Sequence, residues 1–156
     1  MVRFGQLSFS EFVLHANPLP VPARMNVLSY INRTFHNDFT CWNFVCLYYR
    51  KELNVILHPY AVNGAVDIKG AIKATAGEVA KDHWKELETP IKYCVIVLGK
   101  KKAMYHAGIM LTDSKVIHLL DNSKKPIVST LAELKAKYST VRFYLHADLH
   151  PTKLPA

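Results

Sequence analysis

Cysteine is scarce in this chain. Cys41, Cys46 and Cys94 make an odd count, and their spacings fit neither a zinc knuckle nor a Cys-x-x-Cys pair. A disulfide framework is therefore excluded, and reduced thiols are the expectation. Long apolar runs are lacking as well. None approaches the roughly 20 residues that a helix needs to cross a bilayer, so no membrane span is expected. The first residues also lack the basic, apolar, small-residue succession of a signal peptide, which points to synthesis and folding in a cytoplasm. Acidic residues are few, 12 against 20 Lys and Arg, for a formal net charge of +8. Lys100-Lys101-Lys102 and Lys124-Lys125 are short basic clusters beside turns. The aromatics lie mostly within apolar runs and do not alternate with these lysines, so no nucleic-acid partner is expected. A basic face toward an anionic cell surface or another protein fits better.

What is present suits an ordinary globular chain. Half of the 156 residues are apolar and 21% are charged, enough for one domain over 1–156 with a single core. Residues 1–24 form an irregular lead-in, because Pro18, Pro20 and Pro22 exclude a regular helix. Apolar spacing predicts a helix from Met25 to Phe35, then a turn at 37–40 with Thr40 or Asp38 as N-cap. A second helix, Cys41 to Leu53, follows. The stretch 54–70 reads as loop, and Ala71 to Leu87 as a helix bent near Gly77. Then the pattern changes. Lys92–Leu98, Ala107–Leu111 and Lys115–Leu119 are short Val- and Ile-rich strands, the last two joined through a turn at 112–114. Ser129 to Lys137 reads as helix and Val141 to Leu145 as a closing strand. Helices followed by an antiparallel sheet give an α+β fold.

Thiol chemistry has a consistent set of parts here. Cys94 lies inside an apolar run and reads as core, and Cys46 points away from Cys41 on the same helix. Only Cys41 stands at a helix start, where the helix dipole and a nearby imidazolium can lower a thiol pKa from about 8.5 to roughly 3.5–7. His106 opens a strand that can pack on that helix. His118 closes the paired strand, with position 106 falling opposite about 119, and can orient the first imidazole. The backbone N–H of Cys41 is a candidate oxyanion donor. Taken singly, a buried Cys is a small hydrophobe and a lone His a satisfied polar group; the combination is what points to nucleophilic catalysis. His146 and His150, with Asp148 between, have a spacing that binds zinc on a helix. Here the preceding residues read as strand and Pro151 follows, so neither metal nor cofactor is expected.

The stretch Thr40-Cys41-Trp42-Asn43-Phe44-Val45, running into Tyr48-Tyr49-Arg50-Lys51-Glu52-Leu53, resembles the nucleophile helix of NlpC-type cell-wall cysteine peptidases. Its nearest likeness is to the phage tail-tip branch of that family. His106-Ala107-Gly108-Ile109-Met110-Leu111, with Lys115-Val116-Ile117-His118, is similar to the family's histidine strand and second polar position. The closing Val141–His146 is similar to its last strand, and the resemblance covers residues 38–148. It implies a papain-like fold in which the nucleophile helix packs on an antiparallel sheet. It further implies Cys41 as nucleophile, His106 as general base and acid, and His118 as orienting residue. The implied substrate is the peptide of bacterial peptidoglycan, and the implied setting is a virion tail tip, with other tail-tip proteins as partners. Such a component would be made in the host cytoplasm and act in the cell wall during DNA delivery. The chain departs from the family at Thr40, where Asp or Asn is usual, and at Asn43, where Gly is frequent. The Lys92–Val95 region replaces a frequent Gly-Asp pattern. A structural tail-assembly protein that kept the fold is the alternative reading.

Overall fold

The computed structural model describes residues 27–57, 84–101, 103–120 and 122–149. Helix α1, Cys41–Leu53, starts where the sequence provides a cap. The Thr40 side chain accepts from the Asn43 backbone N–H at 3.1 Å, and the Asn43 side chain accepts from the Thr40 N–H at 3.0 Å. This reciprocal capping box satisfies two amides that a helix start otherwise strands. The helix stops at Asn54, whose φ of 55° is left-handed, a conformation that Asn tolerates. Arg50 and Lys51 in the last turn complement the helix dipole. Cys41, Phe44, Val45 and Tyr48 share the predicted face and are buried, but Trp42 and Tyr49 are buried too, so α1 is enclosed on more than one side.

Among the described residues, six strands form one antiparallel sheet: β1 Trp84–Leu87, β2 Val95–Lys100, β3 Ala103–Met110, β4 Lys115–Leu119, β5 Pro126–Thr130 and β6 Thr140–His146, in the order β1-β6-β2-β3-β4-β5. Helix α2, Leu131–Lys137, joins β5 to β6. Helix α1 packs against β3 and β4. The core lies around that contact, with Phe44, Tyr48, Ile96, Leu98, Met110 and Ile117 wholly or almost wholly buried. The fold is α+β, as the residue pattern predicts.

Several boundaries differ from expectation. The predicted helix from Met25 is helical over 27–31 and ends well before Phe35. Phe35 instead donates its backbone N–H to the Lys124 carbonyl at 2.9 Å and stacks on Phe39, tying the approach to α1 to the turn between β4 and β5. Trp84–Leu87 is an edge strand and not the end of a helix, because its backbone pairs with β6; positions 71–83 of that predicted helix lie outside the described residues. Strand β2 begins at Val95, since residues 92–93 form a turn with Tyr93 at φ 73°. Ser129 and Thr130 belong to β5 and not to a helix. Helix α2 starts at Leu131, with Thr130 as N-cap accepting from the Glu133 N–H. The irregular lead-in at 1–24 and the loop beyond 57 lie outside the described residues.

Candidate active site

The register between β3 and β4 pairs Gly108 with His118, one residue along from the predicted alignment. Side chains alternate along strands, so His106, Gly108 and His118 share one face. Gly108 is what lets the strands meet there: a Cβ on it would lie 2.9 Å from both the His118 Cβ and the Ile117 carbonyl oxygen. The two histidines are diagonal neighbours, and Nε2 of His106 lies 2.8 Å from Nδ1 of His118. Their rings are edge to face, with centroids 5.0 Å apart.

The chain of contacts continues into β5. Val116 pairs with Ser129, which puts Ser129 on the same face as His118. The Ser129 hydroxyl lies 2.9 Å from His118 Nε2. Sequence reasoning missed Ser129, because it was assigned to a helix. The alternation of Ile127 and Ser129 after a turn was the signal available, and it becomes visible only once β5 is recognised as a strand.

His106 and His118 are 4% and 3% exposed. Burial pushes both imidazoles well below their ordinary range, and the nearby Lys137 ammonium adds to the shift. For His118 the neighbouring His106 acts in the same direction. Both rings are thus neutral at neutral pH, joined through one shared proton. That proton uses Nε2 of His106 and leaves Nδ1 as the ring nitrogen to exchange a proton with a reacting group.

A bulge interrupts the strand that carries His106. His106 pairs with Leu98, but the next β2 residue, Gly99, pairs with Met104, so Tyr105 is an extra residue in β3. Tyr105 and His106 both line a cavity of about 300 Å³ with His118, Leu120, Asn122, Lys137 and Tyr138. The Tyr138 ring lies nearly parallel to His106, with centroids 6.0 Å apart and planes at 14°.

Cys41 is the first residue of α1, 1% exposed, on a helix packed against the two strands that carry His106 and His118. The other thiols are different. Burial pushes Cys46 up to about 12 and Cys94 up to about 11, which leaves both as protonated, unreactive groups. Among the described residues, no cluster of His, Cys, Asp and Glu is arranged to hold a metal ion. His146 accepts from the Asp148 backbone N–H at 3.2 Å, and His150 lies outside the described residues. Among the described residues, no helix is long and apolar enough to cross a membrane. Neither a protein-family model nor a curated protein matches this sequence.

Proposed function

We propose that the chain is a papain-like thiol peptidase of the NlpC type that cleaves peptide bonds of bacterial peptidoglycan. Its setting would be a phage tail tip, helping the virion through the cell wall during DNA delivery. The observation that carries this reading is the buried chain His106–His118–Ser129 on the strands against which the Cys41 helix packs. A neutral imidazole oriented by a second polar group, on an element packed against a thiol at a helix start, is the arrangement nucleophilic thiol chemistry requires.

In this mechanism Nδ1 of His106 takes the thiol proton, and the Cys41 sulfur attacks the scissile carbonyl. His106 Nε2–H donates to His118 Nδ1 throughout, which stabilises the imidazolium. The developing oxyanion is met by the backbone N–H of Cys41 at the helix start. The imidazolium then gives its proton to the leaving amine, leaving an acyl-enzyme. Water, deprotonated by the same nitrogen, releases the acid and returns the thiol. Purified peptidoglycan turnover tests the proposal. Wild type should release soluble peptides, Cys41→Ala and His106→Ala should not, and both variants should keep the wild-type fold by circular dichroism. Undiminished turnover by Cys41→Ala would sink it.

A structural tail-assembly protein of the same fold is the second reading. The near-complete burial of Cys41 favours it, since a nucleophile must meet its substrate. Normal particle assembly with poor infection in Cys41→Ala phage would favour the enzyme; defective particles would favour the structural role.

A further inference from the structure

The cavity beside the histidine pair has a composition of its own. Tyr105 and Tyr138 form one aromatic wall, their rings in tilted contact with centroids 5.9 Å apart. Lys137, the last residue of α2, places its Nζ 5.6 Å from the centre of the Tyr138 ring. Among the described residues, no carboxylate pairs with this ammonium. Asn122, on the turn after β4, adds an amide to the lining.

The topology concentrates charge at one end of the sheet. Lys100 and Lys101 lie at the β2–β3 turn, and Lys124 and Lys125 at the β4–β5 turn. Lys137 lies just ahead of β6. These three places fall at one end of the sheet, because Gly99 pairs with Thr140, Lys100 with Ala103 and Leu119 with Pro126. Hydrogen bonds hold two of them together: the Lys101 N–H donates to the Ser139 hydroxyl at 3.1 Å, and the Thr140 hydroxyl donates to the Lys101 carbonyl at 2.6 Å. Among the described residues of these turns there is no acidic side chain to offset the lysines; Asp121 lies outside them. Lys137 thus lines the cavity together with His106 and His118, and four further lysines lie at the same end of the sheet.

We infer that this cavity is a subsite for a carboxylate of the substrate, received by Lys137 beside the paired Tyr105 and Tyr138 rings, so that the enzyme selects acidic peptides. The inference rests on the thiol-peptidase reading and adds to it a substrate class and a specificity-determining residue. A charged acceptor at Nζ gains a charge-assisted hydrogen bond that a neutral amide of the same shape does not. The tyrosine wall lowers the local polarity and buries the apolar stem of the group that enters. The carboxylate can belong to an acidic side chain or to a peptide C-terminus, and Lys137 would meet either in the same way.

The test measures peptide binding by calorimetry to full-length Cys41→Ala, which binds without turnover. One pair of peptides differs only as Glu against Gln within the chain, and a second only as C-terminal acid against amide. At least one acid should bind roughly three- to tenfold more tightly than its neutral partner at low salt, with the ratio shrinking as salt is added. The pair that shows the preference identifies the source of the carboxylate. Adding Lys137→Gln should abolish the ratio, and Lys137→Arg should preserve it; unfolding midpoints check that both variants are folded. Equal affinities within both pairs overturn the inference, as does a preference that survives Lys137→Gln, or no binding of any of the four peptides. Wild-type turnover of the neutral peptides separates the two levels: cleavage without charge preference leaves the peptidase and removes the subsite. Charge-selective binding without any turnover does the reverse.

Discussion

The Ser129 hydroxyl lies 2.9 Å from Nε2 of His118, whose other ring nitrogen meets His106 at 2.8 Å. Side chains from three neighbouring strands therefore share one proton order. If Ser129 accepts from His118 Nε2–H, then His118 Nδ1 accepts from His106 Nε2–H, and Nδ1 of His106 is the bare nitrogen. If the order reverses, Nδ1 of His106 carries a proton and cannot act as a base.

Removing the hydroxyl lets His118 change tautomer. Ser129→Ala should lower kcat by about tenfold to a hundredfold with little change in KM, while leaving a buried N–H without its acceptor at a cost of about 1–3 kcal/mol. Ser129→Thr keeps a hydroxyl in a strand position and should recover most of the loss. Steady-state kinetics on a soluble peptide, with urea unfolding of the same proteins, would decide this; equal kcat for Ser129→Ala and wild type would remove Ser129 from the proton order.

Acid should destabilise the fold through the same pair. Both imidazoles are held below the ordinary histidine value of 6.5, so in acid the unfolded chain binds more protons than the folded one. Stability from this source is complete above about pH 6.5 and is lost as pH falls toward the folded values. Between pH 6.5 and 4.5 the loss should be about 2 kcal/mol per histidine. Urea unfolding across that range should show the slope in wild type and a smaller one in His118→Asn. A stability that rises on acidification would contradict the burial argument.

Thiol reactivity separates Cys41 from its neighbours. Iodoacetamide should label Cys41 faster in wild type than in His106→Ala at neutral pH, because a neutral His106 imidazole can take the thiol proton as the sulfur attacks. In His106→Ala the rate should fall to that of an ordinary thiol with a pKa of about 8.5. Cys46 and Cys94, pushed up by burial, should stay unlabelled in the native protein at neutral pH. Peptide mapping by mass spectrometry reads all three. A slow Cys41 with an ordinary profile in both proteins would move the structural reading to first place.

The capping box positions Cys41, so its loss should be felt in stability and, on the proposed function, in chemistry. Thr40→Ala removes the acceptor for the Asn43 N–H and should cost about 1–2 kcal/mol. Fraying of the first turn would also loosen Cys41, lowering kcat without altering the affinity for a substrate analogue. Denaturant titration and hydrogen exchange at residues 41–44 would show whether the first turn opens.

Local signals carried the sequence reading a long way, and nonlocal ones did not reach it. Thr40 before an apolar period was enough to locate the start of α1, because a cap is an interaction between residues three apart. His106 and His118 could be put near each other because a short turn links their strands, leaving only a one-residue uncertainty in register. Strand β5 was hidden. Pro126 at its start, and a Ser-Thr pair just before Leu131 and Leu134, look like a loop leading into a helix cap. Thr130 is indeed that cap, but Ser129 is held by pairing with Val116, a contact its own neighbours do not announce. Trp84–Leu87 failed for the same reason: β6, its partner strand among the described residues, lies about sixty residues further along the chain.

Gly108 carries a consequence for how this chain can drift. Because a methyl group there would collide with the His118 Cβ and the Ile117 carbonyl, positions 108 and 118 are not independent under mutation. A larger residue at 108 becomes admissible only once the two strands have moved apart, and that separation would break the imidazole pair. Among descendants of this sequence, glycine at 108 should therefore persist for as long as the histidine pair does. A lineage that has exchanged Gly108 for a bulky residue should also show a changed residue at 118, which makes position 108 a marker for chains that have lost the histidine pair.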